Sequence, residues 1–165
     1  MEIEDKIPAS ETAIIDRLRR LCSMREYCTC DIRTKASSAW LRACPDDADG
    51  AESFARRAVE LLARDGYVDD LRYASAFARD KSSLAGWGTV KIRYALSAKR
   101  IDADIISSAL REIDSGKASD RLRRLLEGKI RQIGDAPDRR LKLLRFALSR
   151  GYSYDEVSEI LSELC

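Results

Sequence analysis

The 165-residue sequence contains no histidine. That removes the commonest general base, the usual partner of a catalytic serine and the favoured neutral metal ligand. Catalysis would have to rest on Asp, Glu, Lys, Tyr or Cys alone. A G-x-x-x-x-G-K-[ST] phosphate loop is also missing, so nucleotide hydrolysis has no obvious cradle. With only three prolines and eight glycines, the chain favours helices with short connections over many short strands and turns. No apolar run approaches the roughly 20 residues that would span a bilayer. The N-terminus, with Glu2, Glu4 and Asp5, lacks the basic and apolar regions of a signal peptide. The expectation is a cytoplasmic protein that needs neither membrane nor cofactor.

Five cysteines, an odd number, argue against a disulfide framework in that compartment. Cys22, Cys28, Cys30 and Cys44 offer four thiols, but C-x-C is not the C-x2-C of a zinc ribbon. They read as small buried apolar residues rather than a metal site.

Charge is what the chain has in abundance. Charged residues make up 35% and hydrophobic ones 45%, yet the net charge is only +2. Arg greatly outnumbers Lys, and its planar fork suits carboxylates and phosphates. Residues 111–150 carry twelve Lys and Arg against six acids, whereas 1–16 and 151–165 are acidic. Such asymmetry suits a macromolecular partner better than a small ligand.

The stretch "GYVDDLRYA", 66–74, holds two adjacent aspartates that invite a catalytic reading. Upstream, Phe54, Ala58, Leu61 and Leu62 share a helical face, and Gly66 is a left-handed stop. Downstream, Asp69 fits an N-cap, accepting the N–H of Leu71 or Arg72, and Asp70 complements the helix dipole. Val68 and Tyr73 stand at hydrophobic-staple positions. The pair therefore reads as capping rather than catalytic.

The same grammar recurs. Asp102 is a cap candidate with Ile101 and Ile106 as staple. Gly151 stops a helix, Ser153 and Glu156 form a capping box, and Tyr152 and Val157 make the staple. At a spacing of 51, Lys91 pairs with Lys142, Ile92 with Leu143, Ile101 with Tyr152, Asp104 with Asp155, Ile106 with Val157 and Leu110 with Leu161. A period near 50 points to stacked helical repeats.

Apolar spacing and stop signals predict helices over 10–22, 29–42, 51–65, 69–80, 87–98, 103–113, 119–133, 136–150 and 154–164. "CPDDADG", 44–50, is expected as an acidic loop and "SSLAGWG", 82–88, as a joint. The fold class is all-α: three tandem three-helix repeats, over 10–66, 67–113 and 114–165, forming an elongated, curved body.

"GYVDDLRYASAFARDKS", followed by "GWGTVKIRYAL" and "KRIDADIISSAL", resembles the RecX family of bacterial recombination regulators. The family's early R-x-x-S-x-x-E-L-x-x-K-L pattern is echoed by Arg25, Cys28, Asp31, Ile32 and Lys35. Its late L-x-R-G-[FY] pattern is echoed by Leu148, Arg150, Gly151 and Tyr152. Cys28 replaces the family's serine, which weakens a hydroxyl cap. The resemblance implies a non-enzymatic protein that binds the RecA recombinase filament on single-stranded DNA. Family members lower its ATPase and strand-exchange activity and limit filament growth or promote its loss.

Trp87, Tyr94, Phe77, Tyr73 and Phe146 fall at helical spacing with other apolar residues and are expected in the core. Gly86 and Gly88 allow a close helix entry, and G-W-G is a weak phosphate nest. The partner-binding face is expected at Lys91, Arg93, Lys99 and Arg100 in the middle repeat and Arg139, Arg140, Lys142, Arg145 and Arg150 in the third. The expected partner is the RecA filament, with weak contact to single-stranded DNA, and the chain is expected to act as a monomer. Two other classes stand beside this reading: a helical nucleic-acid-binding module using the basic third repeat, and an acid-base or thiol enzyme using Asp69, Asp70 or Cys28.

Overall fold

The apolar residues spaced by three and four become α-helices. A computed structural model describes residues 9–165, and among these there are nine helices and no strand. They are α1 (Ala9–Met24), α2 (Thr29–Ala43), α3 (Ala48–Arg64), α4 (Asp70–Ser83), α5 (Thr89–Ala98), α6 (Ala103–Arg111), α7 (Ser115–Ile133), α8 (Arg139–Ser149) and α9 (Tyr154–Leu164). Glu2, Glu4 and Asp5 lie outside the described residues.

The expected helix ends shift where a cap or a tie decides them. The acidic stretch 44–50 is less of a loop than expected. Asp47 Oδ1 accepts the Gly50 N–H at 2.9 Å and Oδ2 the Trp40 indole N–H at 3.0 Å, so α3 starts at Ala48. Asp114 likewise starts α7 four residues early by accepting the Lys117 N–H at 2.9 Å. At α8 the helix begins later than expected, at Arg139, because Pro137 disfavours helical geometry at the residue before it. Asp102 occupies the N-cap of α6 but its side chain makes no capping bond; it is exposed and stays in water.

The chain forms two compact units, one ending at Tyr73 and the other beginning at Ala74, so the boundary falls inside α4. In the first, Leu18, Tyr27, Ile32, Phe54, Leu62 and Val68 form one core, and the Trp40 and Phe54 rings stack with centroids 5.2 Å apart. Glu11 is buried yet answered, since Arg57 donates to it at 2.9 Å from α3. A buried carboxylate without such a partner would be costly.

In the second unit the 51-residue register reappears as burial. Ile92 and Leu143, Ile101 and Tyr152, and Ile106 and Val157 are all buried. Ser153 and Glu156 make the reciprocal capping box at the start of α9. The glycine motifs meet each other. Gly88 N donates to Arg150 O at 2.8 Å and Val90 N to Gly151 O at 3.0 Å, while the Tyr152 hydroxyl donates to Gly86 O at 3.2 Å. A Cβ on Gly88 would lie 2.3 Å from Gly151 O, and one on Gly151 would lie 2.2 Å from Lys91 Cβ. Only two glycines let the start of α5 rest on the α8–α9 turn this closely.

Candidate interaction surface

The three charged side chains of the GYVDDLR stretch are committed to structure. Gly66 takes φ +81 after α3. Asp69 Oδ1 accepts the Arg72 N–H at 3.0 Å, capping α4 as expected. Asp70 does more than complement a dipole, because its Oδ1 accepts the Thr29 N–H at 2.7 Å, at the start of α2. Cys28 precedes α2 and supplies no side-chain cap, so the carboxylate of Asp70 answers one of the free N–H groups that begin the helix. Arg72 closes the turn by donating to Glu26 at 2.6 Å and to Gly66 O at 3.1 Å. The Glu26 hydrogen bond raises the Arg72 pKa.

Of the four cysteines expected to be buried only Cys28 is; Cys22 and Cys30 are half-buried, and Cys44, the C-cap at the end of α2, is exposed. Cys28 is fully buried, and burial pushes its pKa up to about 11, leaving little thiolate at neutral pH. Cys22 is also raised by burial. Among the described residues no three His, Cys, Asp or Glu side chains converge as metal ligands would. The G-W-G segment offers no phosphate nest through Gly88 and Val90, whose N–H groups already bond the carbonyls of Arg150 and Gly151.

The cationic residues singled out in sequence divide between α5 and α8. On α5, Lys91 Nζ lies 4.4 Å from the Trp87 ring centroid, and Lys81 Nζ lies 4.7 Å from it. Arg93 is exposed and donates to Ser107 at 3.4 Å. Lys99 is the half-buried C-cap of α5. Arg100 follows in the left-handed region at φ +57, the place that Gly151 fills after α8. On α8, Arg139 is half-buried and pairs with Asp135 at 3.4 Å. Lys142 pairs with Asp138 at 2.8 Å, which holds that carboxyl below the usual carboxylate range. Arg140 and Arg145 are exposed, and the Arg150 guanidinium sits 5.3 Å from the Phe146 ring centroid. The Lys91–Trp87 and Lys142–Asp138 pairs occupy equivalent positions one period apart, a cation–π contact in one repeat and an ion pair in the next.

None of the five aromatic residues expected in the core is fully buried, and one departs outright. Tyr94 is not core but 79% exposed, while Phe77, Trp87, Tyr73 and Phe146 are half-buried. The physical reason is the helical face. Ile92 and Leu96 point inward on α5, whereas Val90 and Tyr94, four residues apart, share the opposite face. Leu141 and Leu148 are likewise exposed on α8. Val90 and Leu141 are equivalent one period apart, so the same face of the second helix carries uncovered apolar area in both repeats.

Between α7 and α8 lies a shallow groove of about 570 Å³, lined by Lys129, Ile133, Lys142, Arg145 and Phe146. It brings together two of the expected binding residues, Lys142 and Arg145. It adds Lys129, whose Nζ lies 5.3 Å from the Phe146 ring centroid. Sequence reasoning left Lys129 out of the site because Lys129 stands on a different helix; its spacing from Phe146 carries no local signal.

Tandem three-helix units, polar motif residues used for capping, and mixed cationic and apolar helix faces define, among the described residues, an all-helical repeat protein. Two family models place it. "RecX, second three-helix domain" matches residues 69–110 and "RecX, third three-helix domain" matches 118–161, together just over half of the chain. The chain belongs to the RecX family. Similar curated proteins include "Regulatory protein RecX" of Clostridium botulinum (strain Eklund 17B / Type B), 32% identical over 111 residues, covering 65% of this chain and 51% of that one. The chain thus spans about half the length of the clostridial relatives it matches. The protein of the same name from Escherichia coli O9:H4 (strain HS) is 26% identical over 151 residues, 89% of each chain. A solved structure of RecX from Lactobacillus salivarius, at 21% identity, has TM-score 0.78 and covers 96% of this chain and 98% of that one. It is similar in fold.

Proposed function

We propose that this protein is a non-catalytic regulator that binds the RecA recombinase filament on single-stranded DNA. In this reading it lowers the filament's ATPase and strand-exchange activity and limits filament growth or promotes disassembly. It acts as a cytoplasmic monomer through repeats at 10–66, 67–113 and 114–165. Membership in the family, and relatives named as regulatory proteins, support the regulatory part. The observation that carries most weight is the repeated surface of α5 and α8, with Val90 and Tyr94 on one and Leu141 and Leu148 on the other, set among Arg93, Arg140 and Arg145. Apolar area beside arginine is the composition of protein interfaces. The roles found for Asp69, Asp70 and Cys28 give an enzyme reading no support.

A second reading is a nucleic-acid-binding module. Tyr94, open to solvent near Lys91 and Arg93, provides a stacking platform that the sequence did not suggest. Against it, cations already engage the Trp87 and Phe146 rings. Tyr94→Ala separates the two readings. Loss of filament inhibition with unchanged affinity for naked DNA supports the regulator; parallel loss of both supports the DNA module.

A further inference from the structure

The α7–α8 groove combines two properties that a merely solvated face does not need together. Its floor is apolar, made of half-buried Ile133 and Phe146. Its lining has three cations, Lys129, Lys142 and Arg145, and no acid. Around it the basic side chains are unequally answered. Lys142 holds Asp138 at 2.8 Å, whereas Lys129 Nζ donates only to the neutral Gln132 oxygen at 2.9 Å. Arg145 is exposed and has no carboxylate within 4 Å among the described residues. Lys129 and Arg150 both lie 5.3 Å from the Phe146 ring centroid, so two cations already attend the aromatic that forms the floor.

We propose that this groove is a docking site for an acidic, amphipathic peptide segment of a partner protein. Such a segment would set one apolar side chain on Ile133 and Phe146 and place carboxylates against Lys129 and Arg145. The charges decide the class of occupant. Lys142 is already answered by Asp138 at the groove's edge, so an acidic segment would place its carboxylates against Lys129 and Arg145, the two lining cations with no ion pair within 4 Å among the described residues. The apolar floor decides against a purely electrostatic one, because a bare polyanion would leave Ile133 and Phe146 uncovered. A nucleic acid could use the lysines and arginines through its phosphates. The two cations at the Phe146 ring stand before a base and an apolar side chain alike, so the oligonucleotide competitor below decides between them. The groove rests on the filament reading only for the identity of the partner; its preference for an acidic segment follows from its own residues.

The test uses the full chain and a fluorescein-labelled synthetic peptide of about ten residues in which Asp and Glu flank a central Leu, read by fluorescence anisotropy. Lys129→Glu and Arg145→Glu are the variants; Arg145 is exposed, whereas Lys129 is half-buried beside Phe146, so thermal melting is measured for both and Arg145→Glu carries the test if Lys129→Glu is destabilised. The expected result is saturable binding that weakens about tenfold in each variant and also when the central Leu is replaced by Ala. An oligothymidylate of equal length should not displace the peptide. Undiminished affinity in both variants would overturn the proposal, as would displacement by the oligonucleotide at matching concentration. The peptide measurement involves no recombinase. If peptide binding behaves as expected while the wild-type protein leaves filament ATP hydrolysis unmoved, the filament reading falls and the groove stands.

Discussion

Asp69 and Asp70 are neighbours in sequence and cap different helices, the first α4 and the second α2. Replacing either with Ala should cost about 1 kcal/mol, the usual worth of a side-chain cap, measured as a shift in the urea midpoint. A variant that keeps its midpoint but loses filament inhibition would mean that the aspartates contact the partner instead. Arg100 makes the opposite prediction. Its backbone sits at φ +57, a region that favours glycine. Arg100→Gly should therefore stabilise the protein by about 1 kcal/mol; an unchanged or lowered midpoint would show that the arginine side chain holds its turn. Two buried acids are expected to weaken the fold at alkaline pH. Burial raises the pKa of both Cys28, to about 11, and Tyr152. A folded pKa above the unfolded one favours the folded state while the group is protonated. That contribution is complete below the unfolded value and is lost as pH rises through the folded one. Stability in reducing buffer should fall from about pH 9 upward, and Cys28→Ala should flatten the slope; an identical slope in the variant would assign the loss elsewhere.

At the scale of the element, the helices were legible and the contacts between them were not. Local grammar sufficed for α9, where Ser153 and Glu156 stand three residues apart and make the capping box. It also sufficed for the end of α3, where Gly66 is the left-handed stop. Starts failed where a carboxylate could cap at more than one register. Asp47 and Asp114 extend α3 and α7 into stretches that composition alone reads as loop. The sequence shows G-W-G and R-G-Y as separate motifs, yet the structure uses them as one joint, with Gly88 against Gly151. Nothing local couples residues so far apart in the chain. Tyr94 misled for a related reason, since period alone does not say which of two apolar stripes on α5 faces inward. The joint is testable. Gly88→Ala drives a Cβ into the Gly151 carbonyl and should cost about 2 kcal/mol or shift α5, lowering the melting temperature. A variant as stable as the parent would show that α5 can move away freely.

At the scale of the whole molecule, the second of the two units repeats its surface as well as its core. Ile92 and Leu143 are buried at equivalent positions, and Val90 and Leu141 are exposed at equivalent positions. The part of the candidate surface legible in sequence was its charge, concentrated in 111–150. What sequence could not supply was which cations are spent on ion pairs and rings. Arg139 is held by Asp135 and Arg150 lies by Phe146, which leaves Arg140 and Arg145 as the cleaner pair for charge reversal. Reversing both should weaken filament inhibition with little change in stability.

The most direct test is a titration of the purified protein into RecA filaments preformed on single-stranded DNA, following ATP hydrolysis and filament length together, with naked-DNA binding measured in the same salt. Hydrolysis should fall and filaments should shorten at protein concentrations where naked DNA is still unbound. Filaments left untouched while naked DNA is bound, with an affinity that falls steeply as salt rises, would contradict it.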